Sequence, residues 1–198
     1  MDKPQNRLKQ LLNFLHASEK LKMLLRHSWL SSGRQESVAE HTWRLALMAI
    51  VLEPEMGKHL NLEKILKMVI VHDLAEIYAG DHHAWKGKLK NKYQKEKRGL
   101  GRLLVKLPGS GSNEIKSLWE EYERCKTQEA KFVKAIDKLE VLIQHDEADL
   151  STWVKEEYTY NLVHGKEEVK FDKVLQDLKN LIDYQTARKI KNGRINFK

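Results

Sequence analysis

The stretch MVIVHDLAEIYAGD (68–81) decides how the rest of the chain is read. Its apolar run, Met68–Val71, follows Asn61 as a capping residue and Glu63 in the first turn, so the spacing predicts a helix over 61–79. On that helix His72 lies above Met68 and Val69, and Asp73 above Val69 and Ile70. An imidazole and a carboxylate thus emerge from a face that otherwise reads as buried, and buried polar groups need partners.

Working outward, one apolar stripe per segment recurs. Leu8, Leu11, Leu12 and Leu15 form one, Val38, Leu45, Met48 and Leu52 a second, and Val174, Leu178, Leu181 and Ile182 a third. The pattern predicts helices near 5–25, 37–53, 61–79, 90–106, 113–150 and 168–191, the fifth divisible in two, and no run shows strand alternation. Ser37-x-x-Glu40 fits a capping box, and Ser112 or Asn113 can cap the helix expected from 113. Pro54 and Gly57 stop the second helix, LPGSGSN (107–113) reads as a turn, and the C-terminal RKIKNGRINFK as a frayed basic tail. The expectation is one compact all-α bundle of about six helices spanning residues 1–198.

The anomaly at His72 and Asp73 occurs twice more. His41 stands three residues after Val38 and four before Leu45, and Asp137 four residues from both Val133 and Val141. Each alone is most simply a hydrogen-bonded core residue. Two carboxylates and two imidazoles on the core faces of three helices are costly unless paired, and a shared cation answers all four. Glu76, one turn after His72, and Asp81, beside Gly80, enlarge the cluster beyond what packing requires.

The 198 residues suffice for a core without staples, and 41% hydrophobic against 32% charged side chains excludes disordered and collagenous classes. The lone cysteine, Cys125, excludes an internal disulfide and any Cys-based metal spacing. The N-terminal MDKPQNRLKQ is charged where a signal peptide would be apolar, so a cytoplasmic protein is expected. The net charge of +8 is local: segment 86–106 carries nine basic residues and one acid, against 27 of each sign elsewhere. With Leu89, Leu100, Leu103 and Leu104 on one side, it reads as a solvated helix or as a rim near Asp81 that draws in phosphates through Lys86 and Lys88. His82 and His83 are read as surface residues, and most tryptophans as core or interface.

His41, then His72-Asp73, then Asp137 in AIDKLE (135–140) resemble the H…HD…D signature of the HD-domain metal-dependent phosphohydrolases. RQESVAEH (34–41) with HDLAEIYAGD (72–81) is similar to the small subfamily containing bacterial 5′-deoxynucleotidases, over about residues 20–150. The resemblance implies the all-α HD-domain fold and a homodimer. It implies that His41, His72, Asp73 and Asp137 hold one divalent metal ion, that Glu76 and Asp81 are catalytic carboxylates, and that Arg26 binds phosphate. It departs in two places: His27 stands where the family has a sugar-recognising tryptophan, leaving Trp29 as the candidate, and His82-His83 replace an aliphatic residue and a proline.

Imidazole and carboxylate donors suit Mn²⁺, Co²⁺, Fe²⁺ or Ni²⁺ better than Zn²⁺ or Mg²⁺, and an octahedral ion keeps two open positions. A cation can lower a water's pKa from 15.7 toward about 7, supplying hydroxide to attack phosphorus, while Glu76 moves the proton. The expected function is phosphate removal from a nucleoside 5′-monophosphate, including 2′-deoxy ones. The alternatives are another nucleotide at the same site (an alarmone, a triphosphate or a cyclic nucleotide), or a nucleic-acid-binding protein with a structural metal.

Overall fold

The computed structural model describes residues 4–82, 91–107 and 109–195. Its helices are α1 (Pro4–Ser18), α2 (Lys20–Met23), α3 (Val38–Leu52), α4 (Leu62–Val71), α5 (Glu76–Ala79), α6 (Lys92–Leu104), α7 (Ser110–Arg124), α8 (Gln128–Glu147), α9 (Glu157–Tyr160) and α10 (Lys173–Ile195). The all-α expectation agrees with this architecture. Ser37 accepts from the backbone N–H of Glu40 while the Glu40 carboxylate accepts from that of Ser37, the capping box expected for α3. Asn61 caps α4 by accepting from Lys64 N. Pro54 opens a 3₁₀ turn, Glu53–Met56, that ends α3.

The core centres on α8, which packs against α3, α4, α7 and α10. Phe132, Val133, Ile136, Leu139 and Leu142 are fully buried there, and a single apolar cluster continues through Val38, Leu45, Ile65 and Met68 to Leu100, Leu103 and Trp119. The same helix also buries Asp137, Glu140, Gln144 and His145, so one side of the central helix is polar. No helix among the described residues is long and apolar enough to cross a membrane.

Several boundaries differ from the sequence reading, each for a local reason. The helix expected over 5–25 ends at Met23, and β1 (Leu25–Trp29) pairs antiparallel with β2 (Gln35–Ser37), with an irregularity between Leu25 and Trp29. Strands this short, with only Ser28 buried in β1, carry no period-2 signal. The helix expected over 61–79 breaks after Val71: Leu74 N bonds Val71 O and Glu76 N bonds Asp73 O, both tight i→i−3 contacts. His72 Nδ1 lies 2.7 Å from the Val69 carbonyl, the acceptor that Asp73 N–H would use in a continued α-helix. Gly80, at φ 78°, closes α5. α6 passes so close to this break that a Cβ on Gly99 would stand 2.6 Å from the Ala75 carbonyl oxygen.

The region 113–150 is two helices, and α7 begins at Ser110, inside the expected turn, after Gly109 rather than with Ser112 or Asn113 as cap. The expected frayed tail is helical to Ile195, because Lys189 Nζ donates to the carbonyls of Asp146 and Ala148 and Ile190 is buried. In α6 Leu100, Leu103 and Leu104 form the expected apolar side, whereas His83, Trp85, Lys86, Lys88, Leu89 and Lys90 lie outside the described residues.

Candidate metal centre and its pocket

Three elements deliver the cluster. The capped first turn of α3 carries His41, the break after α4 carries His72 and Asp73, and α8 carries Asp137. His72 Nε2 lies 3.0 Å from Asp73 Oδ2, and His41 Nε2 lies 3.3 Å from Asp137 Oδ1 and 3.9 Å from Asp73 Oδ2. Ligand atoms of His41, His72 and Asp73 fall within 4.8 Å of one another, and Asp137 joins them through His41.

The chemistry of these donors fits a divalent cation. Both imidazoles are buried with Nδ1 committed, His41 to the Glu140 carboxylate at 2.5 Å and His72 to the Val69 carbonyl. That fixes Nε2 as the atom carrying the lone pair. Neither Nε2 makes a well-directed hydrogen bond among the described residues, short as the approaches to the carboxylates are. Asp137 Oδ2 accepts from Tyr122 Oη at 2.9 Å and Lys138 Nζ at 2.7 Å, leaving Oδ1 for the cluster.

The electrostatics point the same way. Burial and Arg26 push the His41 pKa down, but Glu140 and Asp137 outweigh them and hold it up at about 9. Burial pushes Asp73 and Asp137 up, yet His72 and His41 draw the first well below the carboxylate range, and Lys138 and His41 do the same to the second. The surroundings favour positive charge between the rings, which a metal ion supplies.

The cluster opens into a cavity of about 430 Å³. Glu76, first residue of α5, is buried on its wall with Oε2 lacking a hydrogen-bond partner among the described residues. Burial, then the charges of Asp73 and Asp81, push its pKa well up against Arg26 and Lys92. Asp81 lines the same cavity. Arg26 enters from β1, with Nη1 held by Glu36 Oε2 at 2.9 Å and Glu140 Oε2 at 3.3 Å.

Of the expected site residues, His41, His72, Asp73, Asp137, Glu76, Asp81 and Arg26 are brought together. Trp29 is not on the cavity wall; β1 turns His27 and Ser28 toward it, and the Trp29 ring meets His27 edge-on at 4.6 Å. His82, read as a surface residue, lines the cavity, and Lys86 and Lys88 are outside the described residues. Lys92 lines it from α6, its charged form favoured by Glu96 and Glu76 against the cost of burial. The sequence reading missed Glu140, although it lies four residues from Ile136, the displacement that singled out Asp137. Tyr122, Lys138 and Glu36 left no such signal, because their roles depend on which elements meet.

Fold and pocket define an all-α protein with a buried His/Asp cluster able to hold a metal ion beside a polar cavity. The HD domain pattern matches residues 18–179. A Dictyostelium discoideum protein named 5′-deoxynucleotidase HDDC2 is 40% identical over 141 residues, covering 67% of this chain and 74% of that protein. The Schizosaccharomyces pombe 5′-deoxynucleotidase hdd1 is 34% identical over 173 residues, covering 78% and 85%. A Magnetospirillum magnetotacticum structure described as a predicted metal-dependent phosphohydrolase superposes with a TM-score of 0.79 at 27% identity, covering 95% and 97%. The chain belongs to the HD-domain family, as the motifs led one to expect.

Proposed function

We propose that this protein removes phosphate from nucleoside 5′-monophosphates, 2′-deoxy ones included, and that the whole chain 1–198 acts as one HD domain. The observation that carries this reading is one cavity shared by a buried His/Asp donor set, a buried acid and a guanidinium. The names of the 34–40% identical relatives support the substrate class.

His41, His72, Asp73 and Asp137 would hold one ion, Mn²⁺, Co²⁺, Fe²⁺ or Ni²⁺ by donor type. When bound, that ion supplies charge neutralisation at a phosphoryl oxygen and acidification of a water. Arg26 receives the phosphate and Asp81 orients the substrate. Glu76, whose burial beside Asp73 and Asp81 favours the protonated carboxyl, passes a proton to the leaving O5′. Lys92 adds positive charge to the wall the phosphate faces.

The same reading includes a cytoplasmic homodimer. α3 exposes Trp43, Leu47, Ile50 and Val51 along one stripe, and a second copy would cover it.

A phosphate-release screen with each divalent ion tests the substrate class against deoxy- and ribonucleoside 5′-monophosphates, a triphosphate, a guanosine polyphosphate and a cyclic nucleotide. Metal-dependent release from monophosphates is expected. Release from none of them, or only from the other nucleotides, overturns the proposal.

A further inference from the structure

Glu140 is fully buried on α8, three residues after Asp137. A single oxygen, Oε2, accepts from donors belonging to two different parts of the pocket: His41 Nδ1 at 2.5 Å and Arg26 Nη1 at 3.3 Å. Its other oxygen, Oε1, is buried with no hydrogen-bond partner among the described residues; Arg44 Nε stands 3.9 Å from it. Glu36, from β2, takes the same Arg26 Nη1 at 2.9 Å, so that one nitrogen is clamped by two carboxylates from separate elements.

A carboxylate that only neutralised Arg26 would need no imidazole, and one that only fixed the His41 tautomer would need no guanidinium. Joining both on one oxygen makes the placement of each donor depend on the other. The clamp consumes Nη1 and leaves Arg26 Nε and Nη2, for which no protein acceptor occurs among the described residues, to meet an anion. The bond to Nδ1 turns the His41 lone pair on Nε2 toward Asp73 and Asp137 and raises its basicity.

We propose that Glu140 is a positioning residue that couples cation binding at His41 to phosphate binding at Arg26. This rests on the reading of His41 as a metal ligand and Arg26 as the phosphate contact, and not on which nucleotide is turned over.

The test uses the full chain stripped of metal. Calorimetric titration with Co²⁺ should show Glu140→Gln binding about 10- to 100-fold more weakly than the parent, the range for losing the carboxylate behind a ligating imidazole. Inorganic phosphate is then titrated into the Co²⁺-loaded parent, Glu140→Gln, Arg26→Ala and the double variant. Glu140→Gln should weaken phosphate binding roughly tenfold when Arg26 is present and add nothing once Arg26 is gone, the non-additivity of residues in one network. Unchanged Co²⁺ affinity, or losses of phosphate affinity that simply add, overturns the proposal. Should Glu140→Gln fail to fold, Glu140→Asp takes its place; it stays anionic but is one methylene too short to hold both donors, and retention of both affinities in it overturns the proposal equally. None of these readouts needs turnover, so a protein inactive on nucleotides would defeat the proposed function and leave this measurement standing.

Discussion

His72 and Glu76 are four residues apart and both buried, and the proposed function assigns them different tasks. The His72 ring presents Nε2 to the cluster, 3.0 Å from Asp73 Oδ2, whereas Glu76 presents its carboxyl to the cavity. His72→Ala should therefore lose the metal, about one equivalent per chain in the parent by elemental analysis. Glu76→Ala should keep it while kcat falls by at least about 10²-fold, the usual worth of a proton-transfer group. Metal loss in Glu76→Ala, or full retention in His72→Ala, would contradict these roles. His145, on the polar side of α8, offers a pH test away from the ligands. Burial, with the charges of Arg26 and His27, depresses its pKa to about 4 despite the hydrogen bond to Asn161. Because the folded form holds its proton less readily than the unfolded form, its contribution is complete above the ordinary value near 6.5 and is lost as pH falls toward 4. The parent should outlast His145→Gln to urea at pH 7.5, and that advantage should shrink by up to about 3 kcal/mol by pH 4.5. Stability curves of the two proteins that run parallel across this range would contradict the assignment.

The first turn of α3 carries His41, so its cap bears on the site. Removing the Ser37 hydroxyl should cost about 1 kcal/mol, a fall in Tm of roughly 2–4 °C for a chain of this size, readable by calorimetry in Ser37→Ala. No change in Tm would mean that the Glu40 carboxylate alone satisfies the turn. This cap was legible in advance, as was the one at Asn61, because a capping box is written in residues three apart. The break at 72–75 was not, because it depends on a ring reaching back to the Val69 carbonyl, a choice of conformation that the apolar period of 61–71 does not encode. The β1–β2 hairpin was hidden for a related reason: its strands are held by pairing and by Arg26 between Glu36 and Glu140, and their burial does not alternate. α10 outran its expected end because two carbonyls at the end of α8 capture Lys189, a tertiary contact invisible in a basic tail. The cluster itself was readable since polar residues on an apolar stripe are conspicuous. Glu140 carries the same mark, four residues from Ile136, while the partners of Asp137, Tyr122 and Lys138, look like ordinary surface-helix residues.

Taken whole, the molecule gathers buried polar residues on one side of α8 and leaves an apolar stripe on α3, where Trp43 is 66% exposed. If a second copy covers that stripe, Trp43→Glu combined with Leu47→Glu should convert a dimer to a monomer in light scattering, while metal content stays at parent level. A monomeric parent, or a charged variant that stays dimeric, would remove α3 as the contact. The near-collision of α6 with the break after α4 has a different reach. With 2.6 Å between a hypothetical Cβ at position 99 and the Ala75 oxygen, only hydrogen fits there without moving the segment that holds His72, Asp73 and Glu76. Selection for catalysis would then act on a residue that touches neither ion nor nucleotide, and drift along α6 would be free at its solvent-facing lysines but blocked at this glycine. The outer helix carries in its sequence a record of the inner one's geometry.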